Sequence, residues 1–132
     1  MKSIKIILLT IIFLIVWASC KKVKLPGSKT SGLIGKWTLV SETNGWGNTT
    51  KSNSKTTIEF TKYGKCNVYQ NSILKSRTKF SFVEQRSIYS GKTEYIIDYS
   101  NMKTSESFEI NGNILFLNAE AYDGGGKELR RK

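Results

Sequence analysis

Apolar and polar residues alternate along most of the chain after residue 33, and this period of two predicts β-strands. The first of them, residues 35–41, places Trp37 and Leu39 on one face. The same pattern predicts further strands at 56–61, 66–70, 78–85, 93–100, 106–110, 113–118 and 127–131, with 72–76 as a further strand or a hairpin flank. Seven to nine short strands with almost no helical period predict a barrel or sandwich, and the short connections favour an antiparallel meander.

The expected inward positions follow from the same alternation. They are Ile58 and Phe60, then Cys66, Val68 and Gln70, then Phe80 and Phe82, then Tyr95, Ile97 and Tyr99, then Phe108 and Ile110, and finally Leu129. In strand 113–118 the inward pair is either Leu115 and Leu117 or Ile114 and Phe116. Turns are expected at 63–65 and 90–92. The strongest turn signal is Asn111-Gly112, which favours a type I′ hairpin because both residues tolerate positive φ.

The residues before the strands have a different pattern. Lys2 and Lys5 precede an apolar run at 6–17 that only Thr10 interrupts, and Ala18-Ser19-Cys20 follows. A helix needs roughly 18 or more apolar residues to span a bilayer, so this shorter run matches a secretory signal peptide at 1–19. The alternative is an uncleaved membrane anchor, with the lysines that follow residue 20 as its positive stop.

The residues at this junction also resemble the lipobox of bacterial lipoproteins. Val16-Trp17-Ala18-Ser19-Cys20 has the small residues before a cysteine, although Trp17 replaces the usual aliphatic residue. The resemblance implies that Cys20 is acylated and begins the mature chain, and several acyl chains suffice for stable membrane anchoring. Lys21-Lys22-Val23-Lys24 is not acidic, which by the same resemblance favours an outer-membrane protein facing the periplasm. Residues 20–32 are predicted to be a flexible lipid-anchored tether, followed by one domain at 33–132.

Three short motifs carry a second resemblance across this domain. They are Leu33, Gly35 and Trp37; Ile58, Phe60 and Gly64; and Asp123 and Gly124 with Arg130 or Arg131. In this order the chain resembles small bacterial lipocalin-like lipoproteins. The resemblance implies a meander barrel of about eight strands, with Trp37 in its closed end and Arg130 or Arg131 packed on the indole. Larger lipocalins are about half as long again, so shallower walls are expected here.

Composition then narrows the function. The 132 residues contain 21 Lys plus Arg, 10 Asp plus Glu, two Cys and no His. Without His the commonest general base and metal ligand are missing, and two cysteines cannot build a zinc site, so no catalysis, metal or cofactor is expected. Glu59, Asp98 and Glu109 fall opposite the apolar faces; a hydrolase with carboxylates meeting across strands is the least favoured alternative.

The net charge of +11 suggests an anionic partner. Six of the 21 basic residues precede residue 33, where they adjoin the expected anchor, so membrane attachment accounts for much of the charge. Nucleic acid is not expected as a partner because the aromatic residues alternate inward and offer no exposed stacking surface.

Candidate ligand contacts are aromatic. Trp46 lies in the loop sequence Asn44-Gly45-Trp46-Gly47-Asn48 and either closes over a ligand or folds back on the rim. The other candidates are Tyr69, Phe80, Phe82, Tyr95 and Tyr99, which either line an apolar pocket or fill the core. Cys66 is interpreted as a small buried residue. We therefore expect a monomeric, lipid-anchored barrel that binds a small hydrophobic or amphipathic ligand at its open end. The alternative is a protein-interaction or inhibitor module with a filled barrel.

Overall fold

Residues 22–132 are described by the computed structural model of this chain. A short helix, α1 (Ser28–Leu33), precedes nine strands. The strands are β1 (Gly35–Thr43), β2 (Thr49–Lys51), β3 (Thr56–Phe60), β4 (Lys65–Gln70), β5 (Ile73–Arg86), β6 (Thr93–Tyr99), β7 (Glu106–Asn111), β8 (Ile114–Ala119) and β9 (Gly126–Arg131). The predicted signal peptide and Cys20, the predicted site of acylation, lie outside the described residues.

The strands form one antiparallel sheet that closes on itself. Its order is β2-β1-β3-β4-β5-β6-β7-β8-β9, and β1 also pairs with β9. Eight strands therefore form a closed meander barrel, which confirms the predicted fold class. β2 stays outside the closure because it pairs only with the end of β1, from Ser41 to Thr43.

The inner face of the barrel is apolar, as the alternation predicts. Trp37, Phe60, Ile97, Leu115, Leu117 and Leu129 are almost fully buried, so the inward pair of β8 is Leu115 and Leu117. Three phenylalanines continue the core: the ring centroids of Phe60 and Phe80 are 5.3 Å apart, and those of Phe80 and Phe82 are 5.6 Å apart, both edge to face. This geometry is favourable for aromatic pairs, so these rings stabilise the core by contact with one another.

The closed end of the barrel, where β1 begins and β9 ends, is covered by α1. The indole nitrogen of Trp37 donates a hydrogen bond of 2.8 Å to the carbonyl of Leu33. The guanidinium carbon of Arg131 lies 4.1 Å from the centroid of the same indole. Gly35 permits this approach, since it has a φ of 139° and a Cβ there would lie 3.0 Å from Arg131 Nη1. Arg131, and not Arg130, is therefore the arginine that packs on Trp37.

The folded domain begins earlier than the predicted boundary at Leu33. Thr30 and Leu33 of α1 are buried, and Val23 packs against the core while its amide donates to Lys62 O at 2.9 Å. Much of the predicted tether at 20–32 is thus part of the domain. A single helical turn is too short to show a period in the sequence, which is why the pattern missed α1.

The structure decides one further local prediction and corrects another. Residues 73–76 are the flank of the β4–β5 hairpin, one of the two predicted alternatives, and they continue without a break into the rest of β5, which ends at Arg86. The β7–β8 turn has Gly112 and Asn113 at its centre, since Asn111 pairs with Ile114, and only Gly112 has positive φ (60°). That sign pattern is typical of type II′ rather than the predicted type I′. Two consecutive positive φ values occur instead at Asn71 and Ser72 in the β4–β5 turn.

Ser72→Gly is expected to raise the free energy of unfolding by about 0.5–1 kcal/mol, because Ser72 holds a φ of 67° that a side chain disfavours. Urea denaturation measures this change. Ser76→Gly, in the same strand region but not among the residues with positive φ, is the matched control and should destabilise the protein. Equal destabilisation by both variants would contradict the account of this turn.

Candidate functional site

The mouth of the barrel, opposite the closed end, is bordered by the β1–β2 loop (44–48) and the β8–β9 loop (120–125). The side-chain oxygen of Asn44 accepts hydrogen bonds from the amides of Trp46 (3.1 Å) and Asn48 (3.0 Å). A Cβ at Gly45 would lie 1.9 Å from Asp123 O. The two loops therefore touch through their backbones and form one fixed rim.

An open cleft of about 500 Å³ lies inside this rim. Most of the side chains that line it are polar: Glu42, Thr43, Asn44, Asn48, Thr50, Glu106 and Lys127, with Ala119, Gly125 and Gly126. Its size is within the range of small-molecule sites, and its lining offers both hydrogen-bond donors and acceptors.

A partly buried ion pair lies in the wall of the cleft. Lys127 Nζ is 2.6 Å from Glu106 Oε1, and the hydroxyl of Tyr99 donates to Glu106 Oε2 at 2.7 Å. The side chain of Glu106 is 10% exposed and that of Lys127 is 32% exposed. Both carboxylate oxygens of Glu106 thus have partners inside the barrel, while Lys127 still reaches the cleft.

The same surroundings shift two neighbouring pKa values. Burial, followed by the charge of Glu106, raises the pKa of Tyr99 well above its ordinary value. Burial, again followed by Glu106, raises the pKa of the Cys66 thiol to about 12. Cys66 therefore stays protonated at neutral pH and packs as a small apolar residue, which agrees with its interpretation from the sequence.

Glu42 reaches the cleft because of an irregularity in β1. Leu39 pairs with Leu129, but Ser41 pairs with Glu128 and Glu42 with Lys127, so one extra residue is inserted between Leu39 and Ser41. The bulge moves Glu42 to the inner face, which Lys127 also occupies. A strict alternation along β1 would place Glu42 outside, and this residue is therefore one that the sequence pattern missed.

Glu106 and Lys127 were also missed, although the sequence holds a signal for them. Glu106 alternates with Phe108 and Ile110, and Lys127 alternates with Leu129, so both charges belong to the apolar faces of their strands. Charges at inward positions of two strands that meet in a closed barrel are a signal for a buried pair.

The predicted aromatic contacts do not line the cleft. Phe80 and Tyr99 are buried in the core, and Phe82 and Tyr95 are partly buried. Only Tyr99 approaches the site, through Glu106. Tyr69 is on the outer face, where its hydroxyl donates to Glu59 at 2.8 Å. The expectation of an aromatic-lined pocket from these residues is thus replaced by a packed core with a polar cleft above it.

Trp46 is where the sequence places it, in a loop, and its side chain does not fold back on the rim. The residue is 90% exposed, and Tyr122 in the adjoining loop is 96% exposed. Trp46→Ala is expected to change the free energy of unfolding by less than about 0.5 kcal/mol, because the indole buries little surface. Thermal unfolding monitored by circular dichroism measures this change, and a large loss of stability would show that Trp46 belongs to the core.

Glu59, predicted to be a solvated strand position, is held by a cluster on the outer face. Asn67 Nδ2 lies 2.9 Å and the Tyr69 hydroxyl 2.8 Å from its carboxylate, with Lys36 Nζ at 3.7 Å. The hydrogen bond from Asn67 is the largest cause that lowers the pKa of Glu59 below its ordinary 4.5.

This cluster predicts an acid-dependent loss of stability. Because the pKa of Glu59 is lower in the folded chain than in the unfolded chain, the carboxylate stabilises the fold above pH 4.5, and this contribution is lost as the pH falls through the folded pKa. Glu59→Gln should therefore flatten the fall of unfolding free energy on acidification, as measured by urea titrations at successive pH values. Glu84→Gln, at an exposed position, is the control; equal slopes for both variants would refute the prediction.

Within residues 22–132, no three His, Cys, Asp or Glu side chains come together as metal ligands. In the same part of the chain no helix is long and apolar enough to cross a membrane. No protein-family model, curated protein or solved structure matches this chain.

Proposed function

We propose that this protein is a lipocalin-like lipoprotein of the cell envelope that binds a small amphipathic ligand in the cleft at the mouth of its barrel. The single observation that carries this proposal is the cleft of about 500 Å³ inside a fixed rim. Ligand sites are typically concave and largely preformed, with a few convergent polar groups. The paired loops at Gly45 and Asp123 supply the preformed rim, and Glu42, Asn48 and Lys127 supply the polar groups.

The chemistry of the cleft favours an amphipathic ligand over a purely hydrophobic one. The inner aromatics are in contact with one another, as the 5.9 Å between the ring centroids of Phe82 and Phe108 illustrates, so an apolar tail has little room deep in the barrel. The polar head group of such a ligand fits the hydrogen-bond donors and acceptors of the cleft. The apolar part of the ligand would lie against the exposed indole of Trp46.

Binding, rather than catalysis, is the proposed activity. The titratable side chains at the wall of the cleft are already hydrogen-bonded: Lys127 and Tyr99 both donate to Glu106. A charge that already has its partners is suited to orienting a bound head group, while a general acid or base needs a free position near the reacting atom. The proposal includes acylation of Cys20, attachment to the outer membrane on its periplasmic side, and a monomeric state.

Native mass spectrometry of the full protein, extracted in mild detergent from the cells that make it, tests the ligand. We expect a bound small molecule on the wild type. Thr50→Trp should abolish it by filling the cleft, because Thr50 pairs with Glu42 and shares its inward face. Thr49→Trp is the matched control on the opposite face of the same strand. Absence of any bound mass, or its retention in Thr50→Trp, would overturn the proposed site.

A second candidate function is supported by Trp46 and Tyr122. Two large aromatic side chains that are almost fully exposed on adjoining loops are typical of a protein-binding surface, where such residues act as anchors. A photoreactive amino acid at position 46 should then form a crosslink to one envelope protein in cells. The same probe at Ser76, which is exposed in β5, is the control, and equal crosslinking from both positions would exclude a specific partner surface.

A further inference from the structure

We propose that the closed end of the barrel docks on an anionic lipid surface, so that the mouth points away from the membrane. The proposal deepens the one above and rests on it in one respect, the anchoring through Cys20. Three observations on the described residues carry it: where the chain enters the barrel, which charges surround that point, and which apolar side chains are exposed there.

The chain enters the barrel at the closed end. The amide of Val23 donates to Lys62 O in the β3–β4 turn, and its side chain lies close to Gly64. Only Lys21 and Lys22 separate Val23 from Cys20. Three residues of chain span at most about 10 Å, so an acylated Cys20 would hold the β3–β4 turn within that distance of the lipid.

The surface around this point is basic. Its exposed residues include Lys22, Lys24, Lys62, Lys65, Arg131 and Lys132. The carboxylates near this end include Glu59, which is paired with Lys36, Glu94, which is paired with Lys29 of α1, and Glu109. The mouth is more evenly balanced, with Glu42, Glu106, Glu120 and Asp123 against Lys51, Lys55, Lys103 and Lys127. Each Lys or Arg near an anionic bilayer adds electrostatic attraction, so this charge distribution favours the closed end as the membrane-facing end.

Two exposed apolar side chains complete the surface. Tyr63 is 42% exposed at the tip of the β3–β4 turn, and Leu25 is 36% exposed in the segment before α1. Lys62 Nζ lies 5.3 Å from the centroid of the Tyr63 ring. Tyrosine is enriched at membrane interfaces, where its ring contacts the acyl boundary and its hydroxyl stays in water. The closed end thus combines several exposed basic residues with the apolar side chains of Tyr63 and Leu25, as a face that docks on a membrane requires.

This orientation has a consequence for the ligand. A barrel that stands on its closed end presents the cleft to the aqueous space and keeps the rim loops clear of lipid. Trp46, which by its exposure alone would suit membrane insertion, would then be free to contact a ligand or partner. The two exposed aromatic residues therefore have different roles: Tyr63 contacts the bilayer, and Trp46 stays in the aqueous space.

Tryptophan fluorescence tests the orientation in the full protein, extracted from membranes and reconstituted in vesicles of phosphatidylcholine and phosphatidylglycerol that carry a quencher in the head-group region. Three proteins are compared: the wild type, Trp46→Phe, and Trp46→Phe with Tyr63→Trp. The Trp46→Phe protein gives the background from the remaining tryptophans. We expect the indole at position 63 to lose most of its emission and Trp46 to lose little. Equal loss at both positions, or greater loss at Trp46, would overturn the proposal.

Charge-reversal variants test, in the same fluorescence experiment, whether the lysines of the closed end hold it at the anionic bilayer. Lys62→Glu with Lys65→Glu should reduce the quenching at position 63, and so should vesicles of phosphatidylcholine alone. Lys51→Glu with Lys55→Glu, at exposed positions towards the mouth, is the matched control and should leave the quenching unchanged. The mass of the Cys20 peptide is measured on the same sample. An unmodified Cys20 means that the anchoring fails, whereas an acylated Cys20 with no preference for position 63 means that only the docking fails.

Discussion

Replacing Trp37 with Ala is expected to lower the free energy of unfolding by about 3–5 kcal/mol, the largest effect of any substitution considered for this barrel. The indole is fully buried, so its removal leaves a cavity at the closed end. It also leaves the Leu33 carbonyl without the hydrogen bond of 2.8 Å that ties α1 to β1. Since small domains are stabilised by only about 5–15 kcal/mol, this loss is a large fraction of the total.

The arginine beside Trp37 offers a milder version of the same test with a matched control. Arg131 stacks on the indole and donates to Gly32 O at 2.6 Å, so Arg131→Ala should cost about 1–3 kcal/mol. Arg130, the preceding residue, is exposed, and Arg130→Ala should be nearly neutral. Urea denaturation of the three variants gives the comparison. Equal effects of the two arginine substitutions would contradict the packing of the closed end described above.

Lys127→Met is expected to produce the second large loss, about 1–3 kcal/mol. Removing the ammonium leaves Glu106 buried with only the Tyr99 hydroxyl as partner, and breaking one side of a buried pair is costly. The expected loss is smaller than for a fully buried pair because the Lys127 side chain is 32% exposed and water screens part of the interaction.

The double variant separates this explanation from a simple loss of packing. Adding Glu106→Gln to Lys127→Met removes the unpaired charge but keeps an oxygen that accepts from Tyr99. Much of the lost stability should therefore return. Chemical denaturation at neutral pH measures both variants. If the double variant were as unstable as the sum of the two single variants, the pair would not be coupled and its role as the charged wall of the cleft would fail.

The fold could be predicted from the sequence because nearly every strand buries one face. Alternation in β3 marks Ile58 and Phe60 as inner residues, whereas β6 buries the consecutive Ile96 and Ile97. Short connections leave a meander as the simplest arrangement. What the pattern missed has a local cause in each instance. β2 contains only Thr49, Thr50 and Lys51, all exposed, so nothing in their hydropathy marks a strand. The first half of β5 is also exposed, which hides its continuity with Phe80 and Phe82.

The candidate site was harder to predict because it depends on three-dimensional closure. Phe80, Phe82 and Tyr99, which suggested a pocket, fill the core, since an eight-stranded barrel of this size is narrow enough for side chains to meet across it. Glu42 enters the cleft only through the bulge after Leu39, and a bulge leaves no mark in an alternation of seven residues. Gly45 and Gly125 are required by backbone contacts between loops far apart in sequence, at Asp123 and Thr43.

Nuclear magnetic resonance can show whether the proposed ligand binds at the mouth of the barrel. Amide spectra of the uniformly labelled protein are recorded before and after addition of the soluble extract of the envelope from which it was purified. If the ligand binds at the mouth, the shifts are expected to be confined to the cleft, at Glu42, Asn44, Asn48, Thr50 and Lys127. Shifts centred on the outer face around Tyr69, or an unchanged spectrum, would contradict binding at the mouth.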